Sequence, residues 1–237
     1  MTAKRSVKDN LYKKKIAALS KVSQTITSSL YIEDILKLIV LVTAEVMNSK
    51  ICSLLLLDEE RAELVIRATQ SVSEAYNRKP NIKLGIGIAG LVAKENKPIA
   101  VLDVKQDNRY MNRDIARKEN LCSLLSVPLC VKDRVIGVLN SYTSQKHKFS
   151  KEEIDILTTV ANQAAVVIEN ANLMLKSKMI EEELKTRKFV ERAKGILMES
   201  QGISEDEAYK KIQKQAMNTR RTMREIAEAI ILANELD

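Results

Sequence analysis

The stretch Gly85-Ile86-Gly87-Ile88-Ala89-Gly90 satisfies G-x-G-x-x-G, in which glycines let backbone amides approach a pyrophosphate. That chemistry needs a strand before the motif, a helix after it, and an acid at the end of a second strand. Asp103 comes too early for this role, and the apolar runs on either side read as antiparallel strands. The triplet therefore predicts a tight turn and a helix start, leaving a weak anion site at that helix N-terminus as the other option. Cys52, Cys122 and Cys130 have neither metal-ligand spacing nor a Cys-x-x-Cys redox motif. They read as reduced thiols of a cytoplasmic protein, and Cys122, inside an apolar stretch, as a small core residue. The sole histidine, His147, lies in the polar segment SQKHKF and is a poor basis for haem, a metal or a phosphorelay. No metal site is predicted, and no catalytic residue is assigned.

Cations carry more of the signal. The chain has 237 residues and a net charge of +8. Lys4, Arg5, Lys8, Lys13, Lys14 and Lys15 crowd a basic tail over residues 1–15, and a second cluster runs from Lys185 to Arg224. Within that cluster Lys188 and Arg192 fall roughly opposite the apolar Val190 and Ala193, and Lys214 roughly opposite Ala208 and Ile212. Arg220, Arg221 and Arg224 gather at the start of the next helical segment. With Lys194 and Lys211 these cations form a candidate surface for nucleic-acid phosphates. A solvated charged face is the competing reading. Phe189 and Tyr209 are the few aromatics available for base stacking.

These residues must be positioned by helices and strands. Apolar residues at three- and four-residue spacing predict a helix over about Asn10–Met47. ICSLLLLD (51–58) and ELVIRAT (63–69) predict a hairpin, KPIAVLD (97–103) a strand, and LCSLLSVPLCVKD with RVIGVLNSYTS two more strands about a turn at Lys132–Asp133. Residues 70–81 read as a polar loop, and 106–120 as loop with a helical turn. Ser150 and Glu153 are spaced as a capping box for a helix that no Gly or Pro interrupts before Gly195. The fold class is α+β, an antiparallel sheet flanked by helices, followed by a long connecting helix and an all-α tail. No apolar run is long enough to span a membrane, and the first residues lack the apolar core of a signal peptide.

Along the long helix Leu157, Ala161, Ala164, Ile168, Ala171 and Leu175 keep a heptad-like spacing. A helix of this length predicts a coiled coil and hence a homodimer, while packing against the chain's own sheet explains the first half of the row. In the tail, Gly202 fits a helix terminus. Ser204/Glu207 and Thr222/Glu225 are capping boxes for two further helices. Gly195 sits among strong helix formers, where glycine costs about 1 kcal/mol relative to alanine. It either lets a helix of the bundle come closer or offers its surface to a second backbone.

Residues 16–172 resemble a GAF domain, a small-molecule sensor module, on GIGIAGLVAKENKPIAVLDV and SLLSVPLCVKDRVIGVLNSYTSQKHKFSKEEIDIL, with Phe149, Ser150, Glu153 and Leu157 in the expected helix entry. The resemblance implies a pocket between the sheet and the loops of residues 70–120, with Asp103, Tyr110, Cys122, Asn140 and Tyr142 as candidate contacts for an unknown small-molecule ligand. A connector over 173–184 follows. Residues 185–237 resemble an ANTAR domain, a three-helix RNA-binding module of transcription antiterminators, on Ala193, Gly195, Leu197, Met198, Gly202, Ser204, Glu207, Ala208, Tyr209, Ala216, Met217, Arg221, Ile226 and Ala227. This implies a stem-loop RNA partner carrying paired hexaloop hairpins, whose capture prevents a terminator from forming. Gln213 stands where the family often has arginine. Two alternatives remain open on the sequence: a dimeric adaptor whose tail binds protein, and a thiol-based GAF-type reductase.

Overall fold

A computed structural model of the chain describes residues 32–236. The basic tail and the first part of the helix expected from Asn10 lie outside the described residues. The chain divides into two compact units, Met1–Asn172 and Leu173–Asp237.

The first unit contains α1 (Ile32–Met47), β1 (Ile51–Asp58), β2 (Glu63–Thr69), α2 (Glu74–Asn77), β3 (Ile82–Lys83), α3 (Gly87–Glu95), β4 (Ile99–Val101), α4 (Arg113–Lys118), β5 (Leu124–Val131) and β6 (Arg134–Tyr142), and takes in the opening of α5 (Lys151–Gln201). The strands form one antiparallel sheet in the order β3-β2-β1-β6-β5-β4. Strand periodicity sorts the side chains. Cys52, Leu54, Leu125, Val127, Leu129 and Leu139 meet Ile35, Ile39 and Val40 of α1 and Leu157, Ala161, Ala164 and Ile168 of α5. Each large aliphatic residue so buried contributes about 1.5–3 kcal/mol. On the other face Leu55 and Val138 pack against Ala89, Val92 and Ala93 of α3.

Three features depart from the sequence expectations. The polar loop holds α2, because Ser73 caps it by accepting from the Tyr76 amide and Tyr76 is buried. It also leads into β3, a strand too short for periodicity to reveal. β4 is shorter than expected, since it pairs with β5 only from Ile99 to Val101. The glycine triplet has a purely structural cause. Gly85 and Gly87 have φ of +80° and +68°, and a Cβ on Gly90 would collide with the Lys83 carbonyl oxygen. The turn is closed by the Gly85 amide donating to the Gly90 carbonyl at 2.8 Å. α5 begins at the expected capping box: the Ser150 amide donates to Glu153 Oε2 at 2.7 Å and the Glu153 amide to Ser150 Oγ at 3.2 Å.

α5 runs unbroken for 51 residues. The heptad-like row from Leu157 to Ala171 is buried within the first unit, as the intrachain reading required. Leu175, the last of the expected row, is exposed, as are Val166, Leu173, Met174, Met179, Ile180, Leu184 and Met198; among these Val166, Leu173 and Ile180 recur at seven-residue intervals, followed by Leu184.

The second unit joins the end of α5 to α6 (Glu205–Thr219) and α7 (Met223–Leu236). Its core is Val190, Ala193 and Leu197 against Ala208, Ile212 and Ala216, and Ile226, Ala227 and Ile231. Gly202 has φ of +65°, and both Ser204/Glu207 and Thr222/Glu225 make their reciprocal caps. Gly195 is exposed and a Cβ there would meet nothing within 4 Å, so it does not serve a close helix contact inside the bundle.

Candidate ligand cavity and nucleic-acid interface

In the first unit, strand alternation turns Ser53, Asn140 and Ser126 to the α3 side of the sheet. Register sets them in one row, because Ser53 pairs with Asn140 and Asn140 with Ser126. A small cavity of about 30 Å³ opens on this row, lined by Ser53 and Asn140 together with Tyr76, Lys79, Tyr110 and Tyr142. The three tyrosines are buried and meet edge to face, with ring centroids 6.1 Å apart for Tyr76 and Tyr142 and 6.3 Å for Tyr110 and Tyr142. Burial pushes all three phenols up, so they stay neutral. The Tyr76 hydroxyl lies 2.9 Å from Ser53 Oγ, and the Tyr110 hydroxyl donates to that of Tyr142 at 3.4 Å. Asn140 Oδ1 and Ser126 Oγ are buried and have no hydrogen-bond partner. Such orphaned acceptors cost about 1–3 kcal/mol each.

Lys79 closes this space. Its Nζ sits 3.4 Å from the Tyr76 ring centroid and 5.5 Å from that of Tyr142. Burial pulls its ammonium down to about 7 against a smaller opposing effect of Glu119.

Among the residues expected at a ligand site, Tyr110, Asn140 and Tyr142 line the cavity, whereas Asp103 and Cys122 do not. Asp103 instead holds a turn, accepting from the Lys105 amide at 3.0 Å, and pairs with Lys146. Cys122 is buried in the core with its Sγ 3.9 Å from the Leu102 carbonyl. Lys79, Tyr76 and Ser53 escaped the sequence reading. The signal for Ser53 was its alternation with Cys52 and Leu54; nothing local marked Lys79.

In the second unit the expected cations fall into two groups. Lys194 is buried and holds Glu205 at 2.6 Å and Glu191 at 2.9 Å, so it is not on the outer face assigned to it. The cause is local: it adjoins the core residue Ala193, and the acidic first turn of α6 supplies a carboxylate. Arg192 pairs with Glu235 at 2.8 Å. Arg224 pairs with Glu182 at 2.6 Å and Glu228 at 2.8 Å, and stacks on Phe189 at 5.4 Å. These pairs tie α5 to α6 and α7.

By contrast Lys188, Lys211, Lys214, Arg220 and Arg221 are exposed and make no salt bridge to a described carboxylate. Lys211 donates to Gln201 Oε1 at 2.5 Å. Arg220 ends α6 in the left-handed region at φ +54°. Lys211 and Arg221 both line an open groove of about 400 Å³ whose apolar wall includes Leu197, Ile212, Ile226 and Ile230. Gln215 and Thr219 line it too, and neither was picked out from the sequence. Gln213 is exposed on α6 and does not line this groove.

No helix among the described residues is long and apolar enough to cross a membrane, and they contain no cluster of metal-ligating side chains.

Residues 29–169 match the GAF domain family and residues 178–231 match the ANTAR domain. The chain is 29% identical over 189 residues to the transcriptional regulatory protein PdtaR of Mycobacterium tuberculosis, covering 74% of this chain and 80% of that protein. It is 22% identical over 158 residues to a phosphoenolpyruvate-dependent phosphotransferase system protein of Escherichia coli. That match covers 67% of this chain but only 21% of the relative, so the chain spans about a fifth of its length. Among solved structures, the GAF domain of a phosphoenolpyruvate-protein phosphotransferase from Coxiella burnetii superposes with a TM-score of 0.61 at 26% identity, covering 69% of this chain and 95% of that one. The chain belongs to the GAF domain family through residues 29–169 and continues into an ANTAR domain over residues 178–231.

Proposed function

We propose that this chain is a signal-responsive, RNA-binding transcription antiterminator that acts in the cytoplasm and catalyses no reaction. The first unit senses a small molecule at the tyrosine-lined cavity. The second grips a stem-loop in nascent mRNA and keeps an overlapping terminator from forming. The observation that carries the RNA reading is the division of the tail's cations. Lys194, Arg192 and Arg224 are spent on bundle carboxylates, while Lys211 and Arg221 make no salt bridge to a described carboxylate and line one groove. Phosphates need cations without a resident counter-ion, and splayed loop bases need an apolar wall.

Two chains pair through the bare row Val166, Leu173, Ile180 and Leu184, whose seven-residue repeat is that of a coiled-coil seam. Ligand binding then biases the switch only insofar as the ligand prefers one arrangement of the pair. Filter binding of the full chain to RNA bearing two adjacent hexaloop hairpins, against the same RNA with its stems scrambled, tests the reading. Preference for the paired hairpins supports it. Equal retention of both RNAs overturns it, and leaves a tail that takes a protein into its apolar groove.

A further inference from the structure

We propose that the ligand of the first unit is a small organic ammonium, and that Lys79 is a tethered stand-in that it displaces from the tyrosine cage. This rests on reading that unit as a ligand sensor. The cage already holds a lysine amino group: Lys79 Nζ lies over the face of Tyr76 at 3.4 Å and within reach of Tyr142 at 5.5 Å. Aromatic faces attract cations most when water is excluded, and the rings are almost wholly buried. The tyrosine hydroxyls are engaged with Ser53 and with one another, so the cavity presents ring faces to its occupant.

No carboxylate lines this space. An anion would find a single cation, Lys79, held where burial disfavours its charge, beside the opening residues of α3, Gly87, Ile88 and Ala89. A weakly hydrated alkylammonium forfeits less water than a primary lysine ammonium and gains the same ring faces. Asn140 supplies the second mark. The residue lines the cavity, and its buried Oδ1 accepts no hydrogen bond, so it calls for an N–H or O–H donor. With Lys79 in place the free volume, about 30 Å³, is room for about one water molecule. Entry of a ligand therefore requires Lys79 to withdraw into solvent. The side chain is half-buried and belongs to the segment between α2 and β3, which can release it without opening the sheet.

The test is calorimetric titration of the full-length protein with choline, ethylammonium, sodium acetate and 3,3-dimethylbutan-1-ol, the neutral isostere of choline. One or both ammonium compounds should bind, with the neutral isostere about tenfold weaker or worse. Lys79→Ala should tighten ammonium binding about tenfold, because it empties the cage and removes a like charge. Asn140→Ala should weaken it, while Tyr76→Phe, which keeps the ring, should leave it nearly unchanged. Equal binding of the neutral isostere overturns the proposal, as does acetate binding that is lost in Lys79→Ala. Mass spectrometry of the molecule released on denaturing freshly purified protein separates the two levels. A neutral or anionic molecule overturns the ammonium assignment and leaves the sensor intact. Release of nothing, with no probe bound, defeats both.

Discussion

Arg220 and Arg221 are the sharpest place to probe the tail. Both are exposed and neither has a salt bridge to a described carboxylate, whereas Arg224, a few residues on, is held by Glu182 and Glu228. If each of the first two meets one phosphate, replacing both with alanine removes about 1.4 from the slope of log K against log salt on a single-stranded loop and about 1.8 on a duplex stem. At 0.15 M salt that amounts to about 15- to 30-fold weaker binding. Arg224→Ala removes a charge already neutralised, so its slope should change by less than about 0.5. The fold should tolerate the double change. Exposed substitutions typically stay within about 0.5 kcal/mol, and alanine bears the left-handed conformation at position 220 about as arginine does. Filter binding to the hairpin RNA across a potassium chloride series, with helicity checked by circular dichroism, reads both quantities. If Arg224→Ala flattens the slope as much as the double substitution, or the double substitution leaves it unchanged, the division of cations is wrong.

Three further outcomes follow from the geometry. Ile212→Ala, at a fully buried position of the tail core, should destabilise the second unit by about 2–5 kcal/mol and speed amide exchange over α6 and α7. Lys79→Met should raise the denaturation midpoint most below pH 7. There the folded protein must hold a buried ammonium that the unfolded chain leaves in water, and the gain should shrink as pH climbs from about 7 towards 10.5, the range in which the unfolded lysine alone keeps its proton. An advantage that instead grows with pH would contradict the burial of that group. Alkylation of the native protein should label Cys130, half-buried, well before Cys52, whose thiol burial pushes up, and should leave hairpin binding unchanged. Thiol-dependent reduction of methionine sulfoxide by the untreated protein would reinstate the reductase reading.

Local chemistry was the legible part. Capping boxes at Ser150, Ser204 and Thr222 announced three helix starts, and short apolar runs about polar turns announced β1, β2, β5 and β6, because each signal is confined to a few neighbouring residues. The tail core was readable for the same reason: Ala208, Ile212 and Ala216 mark one face by spacing alone. What depended on distant partners was not. Lys194 and Lys188 are both lysines beside a core residue of the tail, and the burial of Lys194 between Glu191 and Glu205 depends on a carboxylate brought up by the next helix. Lys79 lies in a polar segment, over Tyr76 three residues before it, and the cavity that this pair closes is completed by Tyr142, far away in sequence. Asp103 and Cys122 were plausible by type, but the chain at both positions is engaged with neighbouring backbone instead.

The tail defines its own helix limits. Gly202 ends α5, Ser204 and Glu207 open α6, Arg220 closes it, and Thr222 and Glu225 open α7, all within the second unit. Its core draws on the same segment alone. Such a piece is portable: gene fusion could graft it behind any detector that finishes in a helix, with no adjustment inside the transplanted stretch. Recombination would then supply new inputs to an unchanged output, and the junction would have to preserve little more than helical continuity.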